Sequence, residues 1–280
     1  MNQTMWRPVL TVALAFVFLG APVGAEQVKS KAKAGTAKSE EQTKDVDERA
    51  LTILKKANEF LAQAQQFSVT VVDGYDSVQP SGMKIEYGAS RKYTIRRPTY
   101  VRIDTDQRSG NQRGFRFNGK EIAVFDSDQK VYATVEHPGT LDDAFNYTVD
   151  QLQMPIPLSQ LFASTLPGML DTTPILRYVD EQTIAGVRCN HLVGRRKAID
   201  FQVWISQSDP PLFQRLILTY KRAEGEPDFC AQFSDWNFKP EAPDSFFAFT
   251  PPEGFEKIPF APLTKATAQA ETPESKGGTQ

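Results

Sequence analysis

Strict alternation runs through much of the chain. Phe67, Val69 and Val71 alternate with Ser68, Thr70 and Val72, the period of two expected of a strand with one buried face. The same reading predicts strands over residues 84–97, 100–105, 114–117, 120–126 and 130–135. Asn118-Gly119 is a strong two-residue hairpin signal, and Ser127-Asp128 suits the next turn. Residues 175–184 and 187–197 form a further hairpin across Ala185-Gly186. Three strands follow. Phe201, Val203 and Ile205 alternate in the first, residues 212–220 form the second, and Phe229, Ala231 and Phe233 mark the third. Asp209-Pro210-Pro211 and residues 224–227 supply the turns between them. Residues 246–250 read as a last edge strand before Pro251-Pro252.

A second period interrupts the first. Val46, Ala50, Ile53, Ala57, Phe60 and Ala64 step by threes and fours, and Leu51, Leu54 and Leu61 widen the stripe. A helix over residues 45–65 is predicted, lying on an apolar sheet face. Thr140 is a good N-cap, and Asp142 and Asp143 suit the positive end of a helix dipole. Leu141, Ala144, Phe145, Val149 and Leu152 form the stripe of that helix. Met154-Pro155-Ile156-Pro157 breaks it, a short helix follows over 158–163, and residues 166–170 are apolar. The predicted fold is therefore mainly β: a large, curved, antiparallel sheet of about eleven strands, with a long N-terminal helix and a central helical insertion as cover.

The ends are of another kind. Arg7, the apolar run of residues 9–19 and the small-residue site Val23-Gly24-Ala25 predict a cleaved secretory signal over residues 1–25. No cysteine follows the run, which argues against a lipoprotein. In a Gram-negative cell, export places the mature protein in the periplasm. Residues 26–44 and 261–280 have too little apolar surface to offset the entropy of ordering, and are predicted to be a disordered leader and tail around a folded domain over 45–260.

Composition adds exclusions. Among 280 residues, 40% are hydrophobic and 24% charged, with a formal net charge of −2. No basic excess points to nucleic acid. Cys189 and Cys230 are permitted to pair after export, but they are expected on strands two or three positions apart, so pairing stays open. Only His137 and His191 are available to a nucleophile–histidine device; there is no G-x-S-x-G elbow or phosphate loop, and Ser159 and Ser164 have no special context. Cys189 and His191 share a strand face, but two ligands make a weak metal site, and a structural histidine is favoured. Asp142-Asp143 is better explained by a helix start than by paired catalytic carboxylates, and Asp235 by a strand end. No enzyme activity, cofactor or metal is expected. Arg96-Arg97 and Arg195-Arg196-Lys197 are strand-end basic groups that reach solvent or anionic lipid headgroups. The 19 Phe, 8 Tyr and 3 Trp fill either a two-layer core or the wall of an apolar cavity, which sequence does not separate.

Several stretches together carry a resemblance. They are Arg97-Pro98, Phe117-Asn118-Gly119-Lys120, the P-I-P-L-S-Q-L of residues 155–161, Cys189-Asn190-His191-Leu192, residues 201–205, Asp235-Trp236-Asn237 and residues 247–252. Over about residues 47–260 the chain resembles an uncharacterised predicted-periplasmic family of the LolA- and LolB-like lipoprotein-carrier superfamily. The resemblance implies a half-barrel with an apolar face closed by helices. It implies an exported, monomeric binding protein for a lipid, a lipid-modified protein or another hydrophobic ligand, in transient contact with a membrane surface or envelope protein. The alternative it carries is an envelope stress-sensing module (RseB-like) that holds a protein partner and no cargo. Alternation and helix stripes nominate lining residues: Phe60, Phe145, Leu152, Leu161 and Phe162 from the helices, and Phe201, Val203, Ile205 and Leu216 from the strands.

Overall fold

The computed structural model describes residues 45–164 and 173–260. The predicted signal segment, leader and tail, and the apolar stretch 166–170, lie outside them.

Thirteen strands make one curved, open sheet. In chain order the elements are β1 (Asp45–Val46), α1 (Glu48–Gln63), β2 (Gln66–Val78), β3 (Lys84–Arg96), β4 (Tyr100–Gln107), β5 (Gln112–Phe117), β6 (Glu121–Asp126), β7 (Val131–Glu136), α2 (Leu141–Asp150), α3 (Ser159–Phe162), β8 (Ile175–Ile184), β9 (Val187–Arg196), β10 (Ile199–Ser206), β11 (Phe213–Tyr220), β12 (Asp228–Asn237), α4 (Asp244–Phe247) and β13 (Glu256–Lys257). Spatially the order is β1-β8-β9-β10-β11-β12-β2-β3-β4-β5-β6-β7-β13. Two meanders meet where β12 pairs with β2.

The expected eleven antiparallel strands are thus corrected to thirteen, two of them parallel. β1 pairs in parallel with β8, and β13 in parallel with β7. Each has two residues, too few to show a period, and each covers part of an edge strand that would otherwise present open backbone groups. The expected strand over 246–250 is also corrected. Residues 244–247 form the one-turn helix α4, which sets Phe247 fully buried beside Tyr100.

The long helix starts later than its stripe suggests, because Asp45 and Val46 pair with β8 and Asp47 then caps. The Asp47 carboxylate accepts from the Arg49 and Ala50 amides at 2.7 and 3.3 Å. Its buried side is Ala50, Leu54, Ala57, Asn58 and Leu61. Ile53 and Phe60 therefore flank the buried stripe and do not centre it. Helix α2 begins as predicted: Thr140 Oγ1 accepts from the Asp143 amide, and Asp143 Oδ2 accepts from the Thr140 amide, a reciprocal capping box. Asp142 accepts from the Ser164 amide, which ties the start of α2 to the end of α3. Both aspartates are structural. Buried Thr148 is accommodated because its hydroxyl donates to the Ala144 carbonyl at 2.7 Å.

Helices α1, α2 and α3 lie on the same face, here termed inner. Their buried apolar residues share one core cluster with apolar residues of β2–β6 and β8–β12. Phe162 of α3 packs on Tyr93 and Phe67 at centroid distances of 4.8 and 5.6 Å, and the Tyr93 hydroxyl donates to the Pro157 carbonyl. On the opposite face the segment carrying α4 and β13 covers β4–β7. Phe249 and Phe255 pack on Phe125, and Phe246 lies under the Arg102 guanidinium. The buried Arg116 donates to the Ile103 and Phe115 carbonyls and pairs with Asp104.

Candidate functional site

Register converts the inner face into a map. Facing residues on neighbouring strands form transverse rows. The row farthest under the helical cover is Phe67–Ile95–Val101–Phe117–Ile122, buried throughout. Next comes Val69–Tyr93–Ile103–Phe115. The third row changes character across the sheet, from Phe233 and Val71 to Arg91, Thr105, Arg113 and Asp126. The fourth runs Leu192–Val203–Leu216–Ala231–Asp73–Ala89. The fifth is Gly194–Phe201–Leu218–Phe229–Tyr75–Tyr87.

The fifth row is where the apolar floor comes out from under its cover. Phe201, Leu218 and Tyr75 are half-buried and pack against the core, and Tyr87 is 48% exposed. Tyr75 and Tyr87 stack at 5.9 Å. Ile85, two residues before Tyr87 on the same face, is also exposed. Half-buried Tyr220 continues β11 beyond Leu218. Burial pushes the Tyr220 phenol up to about 12 and raises that of Tyr75, so both stay protonated at neutral pH.

Gly194 is required in this row. A Cβ there would fall inside the Phe201 ring, which lies across it. Gly194→Ala is expected to cost about 1–3 kcal/mol by overpacking, and Phe201→Val in the same chain to recover most of it, read by thermal unfolding of both variants. Equal melts for wild type and Gly194→Ala would show that the ring moves freely.

Beside the apolar floor sits a compact polar group. The Asp73 side chain is fully buried and Arg91 retains 15% exposure. Arg91 Nε pairs with Asp73 Oδ2, its Nη2 donates to Asp73 Oδ1 at 3.4 Å, and its Nη1 donates to Thr105 Oγ1 at 3.2 Å. Arg113 pairs with Asp126 through its Nε at 2.6 Å. Sequence reading passed over this group. A usable signal existed, since Asp73 and Arg91 fall on the apolar side of their strands' alternation.

The nine nominated lining residues do not converge. Phe201, Val203, Ile205 and Leu216 share the inner face; Val203 and Ile205 are buried, while Phe201 and Leu216 are half-buried. Phe145 and Phe162 are buried within the helix–sheet core, with Leu161 half-buried against it. Leu152 lies just past the end of α2 and is half-buried. Phe60 meets Phe238 edge-on at 4.9 Å.

The other chemistry-bearing residues have structural settings. Cys189 and Cys230 are free thiols on β9 and β12, with β10 and β11 between them, about 14 Å at 4.8 Å per strand. His191 stacks on Trp204 at 4.3 Å, with Nε2 3.1 Å from Gln202 Oε1. His137 stacks on Tyr147. Among the described residues, no group of three His, Cys, Asp or Glu is placed to hold a metal, and no helix is long and apolar enough to cross a membrane. Asp235 has φ 54° inside a bulge of β12. Arg96 binds the Ala242 carbonyl and Asp244, Arg97 the Ala64 and Phe162 carbonyls, and Arg195 binds Asp200 bidentately, each at 2.7 Å in the last case.

An open curved sheet with one helix-covered apolar face defines the class, and the sequence places the chain within it. The chain belongs to the family described as predicted periplasmic protein (DUF2092), which matches residues 50–261. This agrees with the family resemblance drawn from the motifs. No curated protein matches the chain. Similar solved structures include Mycobacterium tuberculosis lipoprotein LppX, at 17% identity over 68% of this chain and 97% of that one, with a TM-score of 0.41. A LolA superfamily protein from Nitrosomonas europaea matches at 14% identity over 71% and 97%, TM-score 0.36. A chain of the Pseudomonas aeruginosa MucA/MucB complex matches at 17% identity over 72% and 61%, TM-score 0.41. Likeness at this level assigns no ligand or partner.

Proposed function

We propose that the chain is an exported binding protein that holds an apolar ligand, a lipid or a lipid-modified group, on the inner face of its sheet, and that it works in the periplasm without catalysing a reaction. The observation that carries this is the fifth row. A sheet whose only task is to pack helices ends its apolar floor where the helices end. Here Phe201, Leu218, Phe229 and Tyr75 continue it across four adjacent strands, and two of their neighbours, Ile85 and Tyr87, stay exposed. An apolar chain laid along that row removes surface from water at about 25 cal/mol per Å². The family's description as periplasmic supports the compartment.

The test is mass spectrometry of the mature protein, purified from periplasm without detergent. Native spectra are expected to show a stoichiometric added mass that is lost under denaturing conditions and extracts into organic solvent. A clean apo mass, unchanged after incubation with membrane lipid, would overturn the carrier reading. Crosslinking would then identify the protein partner of a sensing module.

A further inference from the structure

The polar group in the inner face has unused hydrogen-bonding capacity. A guanidinium carries five N–H donors. In Arg91 one on Nε and one on Nη2 go to Asp73, and one on Nη1 goes to Thr105. Two donors remain, one on each terminal nitrogen. Thr105 Oγ1 accepts from Arg91, so its own O–H is a third donor beside them. The group spans the third and fourth rows; the fourth is buried except for half-buried Leu216, and the partly exposed fifth row begins beside it, with Ala231 and Leu216 across the strands from Asp73. It is charge-balanced: Arg91 is matched by Asp73 and Arg113 by Asp126. An arriving anion would therefore meet donors but no uncompensated cation, and would lose its hydration for little return. An uncharged acceptor oxygen meets the same donors at no such cost.

We propose that Arg91 and Thr105 form a recognition site for the ester carbonyl oxygens of an acyl lipid, whose chain runs along the fifth row toward Phe201. This rests on the carrier reading and narrows it to esterified acyl chains. Asp73 is a positioning residue: it takes the Nε N–H and one Nη2 N–H of the guanidinium and so fixes where the two remaining terminal N–H groups stand. The row is long enough for a chain, since β2 and β10 are three strand spacings apart, about 14 Å.

The experiment offers delipidated full-length mature protein three probes: vesicles of diacyl phosphatidylethanolamine, vesicles of its diether analogue, which has the same head and chains but no carbonyl oxygens, and an uncharged pyrene-labelled alkane. Wild type is expected to take up all three and to prefer diacyl over diether lipid by about tenfold, the scale of hydrogen bonds to a charged donor. Thr105→Val keeps the ion pair and is expected to shrink that preference. Arg91→Lys keeps the charge opposite Asp73 but not the terminal fork, and is expected to bring it close to unity. Equal uptake of diacyl and diether lipid by wild type, or a ratio unmoved in both variants, overturns the ester site. Wild type that binds the alkane but neither lipid overturns the ester site and leaves an apolar carrier. Wild type that binds none of the three overturns the carrier reading itself.

Discussion

Asp73→Ala is expected to destabilise the delipidated protein by about 3–5 kcal/mol, the cost of leaving a buried charge without its partner. For a folded body of this size that is a fall in melting temperature of about 10 °C. The size follows from placement. Asp73 is fully buried and Arg91 nearly so, and they lie at the centre of the sheet, on the two longest strands. Removing the carboxylate leaves the guanidinium charge uncompensated with only 15% of the side chain exposed to water. Asp73→Leu combined with Arg91→Met should recover most of the loss, because two apolar side chains of similar volume remove the desolvation penalty together with the attraction. Denaturant unfolding of the single and double variants measures both. A loss under about 1 kcal/mol for Asp73→Ala would place this pair with ordinary solvated surface bridges, and its neighbours would then have to be far more open than the structure has them.

Such a pair is also where sequence reading stopped. The strands were legible because alternation is a property of each strand alone: Phe67, Val69 and Val71 announce an inner face without reference to any neighbour. Asp73 continues that series on the same face, yet a lone acid at the end of an apolar run reads as a strand terminus. Only cross-strand register, which sets Val71 opposite Arg91 and brings Thr105 alongside, shows that β2 runs on to Val78 with a charge in its buried face. The edges failed for a related reason. Two-residue parallel strands such as β1 and β13 are made by their partners, and no periodicity of their own exists to be read. The C-terminal Phe246–Phe247 pair looked like strand alternation because it was assumed to extend the sheet, whereas it packs across the outer face against Tyr100 and Arg102. The helix stripes were right in kind and rotated in detail. Leu54 and Leu61 centre the buried side of α1, so Phe60 moved from a nominated wall residue to a contact with Phe238. Chemical type cannot separate core from lining, since both call for large apolar side chains; exposure in the folded sheet does.

That separation is testable with one substitution at two places. Phe145→Asp sets a carboxylate where the native ring is 2% exposed, among Leu141, Ala144 and the sheet. At such burial the acid must stay protonated or the helix must leave the sheet. The expected cost exceeds about 4 kcal/mol, the class of a buried unpaired charge, and the melt should broaden or fall below the working temperature. Phe201→Asp is a different experiment. Phe201 is half-buried over Gly194, and its replacement can turn its carboxylate toward water. Its expected cost is about 1–2 kcal/mol from lost apolar burial. Its effect on binding is the larger one, because the charge now stands in the middle of the fifth row, where an acyl chain would have to desolvate it. A folded Phe201→Asp protein with no added mass in native spectra is the expected outcome. If that variant keeps its cargo, the fifth row is not where the chain lies. If Phe145→Asp melts like wild type, α2 is not held against the sheet in the way its buried face requires.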